Sequence, residues 1–344
     1  MKPLFHLAEK GFLPDGVIRA GIKQICRSRL RREARGSEDD RAERFRAFIQ
    51  HLHESPIAVA TDAANQQHYE LPPEFFQQVL GQHLKYSCCY YPAGVTTLDD
   101  AEEAMLDLTC RHGKLADGME ILELGCGWGS LTLWMAAQYP HARIQAVSNS
   151  RPQREFIEEQ ARRRGLANVS VVTSDMNHFV PGERFDRVVS VEMFEHMRNV
   201  PDLLHRISGW LNPHGKLLVH IFTHHRYAYI YEVEDETDWM ARYFFTGGMM
   251  PSDDLLLHLQ EHLVLEDHWT LDGTHYEKTA NAWLANLDRN MENIRRIMGR
   301  VYGTTYGPLW LQRWRIFFMA CAELWGFRRG REWIISHYRF TKRT

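Results

Sequence analysis

At 344 residues, with 44% apolar and 25% charged side chains and a formal net charge of -3, the chain can bury a substantial core as a globular protein, and it is too nearly neutral for a nucleic-acid surface. Its six cysteines include no C-x-x-C pair, which fits a reducing, cytoplasmic setting. The N-terminus lacks the apolar run of a signal peptide, and no stretch approaches the roughly 18 uninterrupted apolar residues of a membrane span, so small molecules are the expected partners and integral membrane contact is not.

Along the chain, Val17, Ile18, Ile22 and Ile25 recur at helical spacing and run into Arg27, Arg29, Arg31, Arg32 and Arg35. Because Glu38, Asp39, Asp40 and Glu43 follow directly, the spacing is read as a core-packed helix over 12–35 with a solvated basic face, in preference to an anionic-membrane helix. A second helix is expected over 41–54, and a third after Pro72-Pro73, where a missing N–H costs least. Tyr86-Ser87-Cys88-Cys89-Tyr90-Tyr91 reads as buried packing, and Thr97 to Cys110 as an amphipathic helix with a capped, acidic start. Residues 1–115 therefore form a helical extension.

From 119 the pattern alternates strand and helix: strands at 119–124, 143–148, 169–173, 186–192 and 215–222, helices at 130–138, 151–164 and 200–211. The expected fold class is α/β, a Rossmann-like doubly wound sheet over 116–344 with ligands at the carboxyl ends of the strands. Residues 223–262 interrupt it with a segment read as mostly helical; Phe244, Phe245, Met249 and Met250 would suit an active-site lid or core packing equally. Residues 263–271 read as a strand, 276–300 and 309–326 as helices, and 333–340 as a last edge strand.

The chemistry centres on Ile121-Leu122-Glu123-Leu124-Gly125-Cys126-Gly127-Trp128-Gly129. An apolar strand that ends in a glycine turn before a helix brings backbone N–H groups close to a nucleoside-like ligand. The G-x-G-x-G spacing differs from the dinucleotide G-x-G-x-x-G and resembles the S-adenosylmethionine loop of class I methyltransferases. The strand 143–148 also ends without the carboxylate that dinucleotide enzymes set on the ribose. Val191-Glu192-Met193-Phe194-Glu195-His196 ends the strand beside the glycine-loop strand, which delivers residues to the reacting end of the cofactor. A helical turn there would put Glu192 and His196 on one face with Glu195 nearby. His220, His224 and His225 end the next strand. Adjacent histidines do not converge on one ion without an unusual turn, so no metal is expected.

With these motifs in place, the chain resembles the cyclopropane fatty acid synthase superfamily of S-adenosylmethionine enzymes, and within it the coclaurine N-methyltransferase branch. The likeness runs from Gly11-Phe12-Leu13-Pro14 through the Tyr86, Glu123 and Val191 stretches to Trp269-Thr270-Leu271 and Glu332-Trp333. It implies S-adenosyl-L-methionine as cofactor, held by Tyr69, Tyr86 and Ser87 over the methionine end, Glu123, Gly125 and Gly127 in the loop, Ser148, Asn149 and Gln153 on the ribose side, Asp175 and Met176 near the adenine, and Val191. It implies a homodimer as well. Its Glu-His pair implies catalysis by Glu195 and His196. His196 would act as the base, oriented by Glu195, with Glu192 attracting a small cationic amine for N-methylation. Against this, Cys88, Glu195, His220 and Tyr276 match residues that hold a bicarbonate ion in cyclopropane synthases, so methylene transfer to an unsaturated acyl chain is the alternative. A cofactor-binding protein without catalysis is the third reading, disfavoured by the complete glycine loop and the acid/base turn.

Overall fold

The computed structural model describes residues 2–59, 71–233 and 238–343. A seven-stranded sheet carries the fold: β1 (Glu120–Leu124), β2 (Arg143–Ser148), β3 (Val169–Thr173), β4 (Phe185–Val191), β5 (Leu211–His224), β8 (Leu263–Leu271) and β9 (Trp333–Lys342), in the order β3-β2-β1-β4-β5-β9-β8. The first five strands pair in parallel, while β9 runs antiparallel between β5 and β8. Apolar runs such as Ile121-Leu122 and Val188-Val189 are wholly buried, because helices cover both faces of a parallel sheet.

The last strand and the insertion after β5 depart from the expectation. The segment 333–340 is an interior strand, buried on both faces, and β8 takes the sheet edge; alternating residue types do not distinguish an edge from a strand whose second face is covered by the C-terminal helix. The insertion after β5 is not mostly helical: it holds a two-stranded ribbon, β6 (Tyr229–Ile230) and β7 (Met249–Met250), a five-residue helix Trp239–Tyr243 and a 3-10 turn Leu255–His258. Phe244, Met249 and Met250 are core residues, and Phe244 stacks on Phe317 at 4.4 Å.

The C-terminal helices also divide differently from the expectation. One spans Thr274–Arg289, and the next runs Met291–Trp325 with a kink at Gly303 (φ 73°) and Pro308 inside. They pack with the N-terminal helix Asp15–Glu33 over the carboxyl end of the sheet, joined by Arg19 to Glu323 at 2.8 Å and Arg315 to Asp15 at 2.8 Å. The basic helix thus has its apolar face and part of its charge turned to the protein.

Candidate functional site

The glycine turn is built for close approach. Gly125 has φ 79° and Gly127 φ 51°; a Cβ on Gly125 would sit 2.7 Å from the Met193 side chain, whereas nothing stands within 4 Å of one on Gly127. The first glycine lets the turn pack on the β4 exit, and the second leaves open space. Around that space lie Tyr86, Ser87, Glu123, Gly125, Gly127, Ser148, Asn149, Gln153, Met176 and Val191, residues that the resemblance assigns to the cofactor. Tyr69 lies outside the described residues. Asp175 does not line the cavity; its Oδ1 accepts the Asn177 N–H at 2.7 Å and so closes the turn after β3, while its neighbours Ser174 and Met176 face inward.

The lining fits S-adenosylmethionine. Gln153 is fixed by the Ser148 hydroxyl, which donates to its Oε1 at 2.7 Å. Gln153 Nε2, Trp128 Nε1 and Ser130 Oγ are buried without hydrogen-bond partners among the described residues and line the same cavity. Buried groups of this kind need a polar partner, and a polar ligand in the cavity would supply it. Glu123 accepts from Thr132 Oγ1 at 2.5 Å, and burial raises its carboxyl to about 7.

Two residues that the sequence reading passed over position the loop above this cavity. Glu102, on the helix Leu98–His112, accepts the backbone N–H groups of Gly81 (2.9 Å), His83 (2.7 Å) and Lys85 (3.2 Å). Lys85 is buried, and its Nζ donates to Ser87 Oγ at 2.5 Å and to the Cys88 carbonyl at 2.7 Å. The readable signal was a lysine set in an aromatic and thiol run, since a lysine that enters such packing needs partners.

At the β4 exit the expected helical turn is broken. Glu192 takes φ 46°, its N–H donating to the His220 carbonyl at 2.8 Å, and only Phe194–His196 form a 3-10 turn. This left-handed residue swings the Glu192 carboxylate into a cradle: it accepts from the Cys88 N–H at 2.8 Å and the Tyr276 hydroxyl at 2.7 Å, and His220 Nε2 is 3.4 Å away. Three of the four residues matched to a bicarbonate site therefore surround a carboxylate of the chain itself. The residues present do not fit a bicarbonate, because the Cys88 N–H and the Tyr276 hydroxyl already donate to Glu192 and a second anion would meet the Glu192 charge.

Glu195 is buried, with Oε2 unpartnered among the described residues. Burial and then the Glu192 charge raise its carboxyl well above the usual range. Burial raises Glu192 too, but Lys85, the Cys88 N–H and the Tyr276 hydroxyl oppose the rise. Of the two, Glu192 holds the charge and Glu195 the proton. His196 packs on Phe245, ring centroids 4.7 Å apart.

A second cavity opens on the other side of this turn, walled by Phe222, Tyr231, Phe245, Tyr276, Trp283 and Trp325, with Glu192, Glu195 and His196 as its polar edge. Tyr86, Glu192 and His196 line both cavities. One ligand's reacting end and another's would thus meet at those three side chains.

His224, His225 and Glu332 do converge, their ligand atoms within 4.8 Å of one another, contrary to the expectation for adjacent histidines. His224 Nδ1 accepts the N–H groups of Arg226 (2.9 Å) and Tyr227 (3.0 Å), and burial lowers its imidazole to about 3. Neutral His224 then carries its proton on Nε2, toward Glu332, and offers no lone pair to a metal.

The family model described as mycolic acid cyclopropane synthetase matches residues 59–332. The chain belongs to that family. It is 37% identical to an (S)-coclaurine N-methyltransferase of Thalictrum flavum subsp. glaucum, over 99% of this chain and 95% of that protein. It is 31% identical to the cyclopropane-fatty-acyl-phospholipid synthase of Escherichia coli, over 75% of this chain and 68% of that one. A crystal structure of a coclaurine N-methyltransferase bound to N-methylheliamine and SAH superposes with a TM-score of 0.95 at 36% identity, covering 99% of both chains. A cyclopropane synthase of Mycobacterium tuberculosis shares the fold, with a TM-score of 0.70 at 23% identity over 84% of this chain and 100% of that one. This family member is an S-adenosylmethionine-dependent methyltransferase with the class I fold, and the reading as a binding protein without catalysis falls away. No helix among the described residues is long and apolar enough to cross a membrane.

Proposed function

We propose that the protein N-methylates a small aromatic amine, and that Glu192 takes the amine's proton. The observation that carries this reading is the Glu192 carboxylate held by the Cys88 N–H and the Tyr276 hydroxyl, with His220 beside it, where the two cavities meet. S-adenosylmethionine supplies a sulfonium-bound methyl group open to in-line attack. An alkylamine with a pKa near 10 is mostly protonated at pH 7, and freeing its lone pair costs about 4 kcal/mol. Glu192 draws the ammonium to the mouth between the cavities and accepts its proton. His196 flanks the same nitrogen against Phe245, whereas Glu195, held neutral, serves as a hydrogen-bond donor. The aromatic walls suit a flat cationic acceptor through its π faces.

The similarity to coclaurine N-methyltransferases supports benzylisoquinoline-type amines as the acceptor class. The acyl-chain reading has less support, because Phe244, Met249 and Met250 belong to the core and the anion cradle is filled. The six free cysteines agree with a reducing compartment. The test is SAH release by purified protein against a panel of benzylisoquinoline and phenethylamine-type amines and, separately, vesicles of unsaturated phospholipid, each with and without bicarbonate. The reading predicts turnover on amines, indifferent to bicarbonate. Bicarbonate-dependent turnover on vesicles alone would overturn it.

A further inference from the structure

We infer that a line of three histidines, His220, His337 and His112, carries the proton from Glu192 to solvent. His220 on β5 and His337 on β9 are register partners across the sheet, with ring centroids 4.4 Å apart. His337 Nδ1 lies 2.8 Å from His112 Nδ1, and His112 ends the helix Leu98–His112, half-buried and stacked on Trp269. At the inner end, His220 Nε2 is 3.4 Å from Glu192 Oε1. Both ring nitrogens of His220 and Nε2 of His337 are buried without hydrogen-bond partners among the described residues. Three adjacent orphaned ring nitrogens are a costly use of a sheet interior unless the line has work to do.

The inference rests on the amine reading, in which every methylation begins with an ammonium and must release one proton. When both cavities are filled, the cofactor and the acceptor lie on two sides of Glu192, whose side chain is only 7% exposed. Of the two side chains that contact it among the described residues, Tyr276 lines the second cavity and His220 lines neither. The protonated Glu192 carboxyl hands its proton to His220 Nε2, and the bond from His220 Nδ1 to its proton breaks as that proton passes to His337 Nε2. His337 Nδ1–H passes its proton to His112 Nδ1, and His112 Nε2–H gives one to water. Each ring gains a proton on one nitrogen and loses one from the other, Glu192 returns to its carboxylate, and ring rotation restores the starting tautomers. Rotation of one ring brings His220 Nδ1 and His337 Nε2 into line for the transfer.

Burial keeps the line neutral, and nearby charge adds to it: Lys85 acts on His220 and His337, Arg111 and Arg339 on His112, and His268 on His337, so that no imidazolium forms at rest. A neutral imidazole has one N–H and one lone pair, the condition for passing a proton on rather than storing it.

The experiment measures kcat and KM for a benzylisoquinoline-type amine in H2O and D2O for wild type, His112→Gln and His337→Phe, with SAH binding as the check on folding. Wild type inactive on every amine would refute the amine reading before any variant is compared. With an active wild type, the relay predicts a fall in kcat of about 10-fold or more in each variant. It also predicts little change in KM, a larger solvent isotope effect, and partial recovery of His112→Gln with added imidazole. Because His112 is half-buried at the end of a helix, its variant keeps the test open if His337→Phe does not fold. A folded His112→Gln with wild-type kcat and isotope effect would overturn the relay, and so would a loss with no change in isotope effect and no recovery by imidazole.

Discussion

Glu192 has a backbone conformation that a non-glycine residue adopts at a cost of roughly 1–2 kcal/mol, and its hydrogen bonds offset that cost. Replacing it with Gln should leave SAH binding intact and lower kcat on amines by about 100-fold. In that variant the amine must arrive already neutral, so kcat/KM should rise about tenfold per pH unit below the amine's pKa, a slope that a pH series reads directly. Tyr276→Phe removes one of the donors that hold the carboxylate, so amine turnover should fall by about 10-fold; an unchanged rate would mean that Tyr276 serves packing alone. Glu195 works in the opposite sense. Its carboxyl is raised in the folded state, so it adds stability below the unfolded value near 4.5 and loses it as pH rises through the folded value. Glu195→Gln should flatten the decline of Tm above about pH 4.5, as thermal melts across pH 4 to 9 would reveal. The sequence placed Glu192, Glu195 and His196 at this strand end correctly. It set Glu192 on a helical face with His196, because spacing alone cannot reveal a left-handed residue.

At the level of elements, the loop from Gly81 to Cys88 has no regular structure and is tied down by side chains. Glu102 gathers three of its N–H groups, and Lys85 ties Ser87 and Cys88 together from within. Glu102→Ala leaves those N–H groups unpaired, at a cost of about 1–3 kcal/mol for each one that stays buried. The expected result is a KM for S-adenosylmethionine raised about 10-fold or more with a lowered Tm; a variant with normal cofactor affinity would show that the loop holds its shape without this tie. The five parallel strands were legible because buried runs of Ile, Leu and Val between helical stretches have few other meanings. The position of β9 between β5 and β8 was not, since pairing order follows from tertiary contacts. The ribbon and short helix of the insertion are too brief to give a clear period.

Taken as a molecule, the protein sets the cavity at the glycine turn against an aromatic one and joins them at Tyr86, Glu192 and His196. A ligand that fills the first cavity should stabilise the whole fold by mass action: SAH at 100 times its Kd adds about 2.7 kcal/mol, seen as a rise in Tm that grows with concentration. The glycine loop was readable because a turn that packs this closely needs glycine at that spacing. The aromatic cavity was not, because its walls come from segments far apart in sequence, Phe222, Tyr276 and Trp325 among them. The most direct test of the account is to supply S-adenosylmethionine labelled with 13C at the transferred methyl to the enzyme in one vessel with a benzylisoquinoline-type amine and unsaturated phospholipid vesicles, then follow the label by NMR. The account predicts the label as an N-methyl group on the amine and none in the lipid. A cyclopropane methylene in the lipid, with the amine unlabelled, would contradict it.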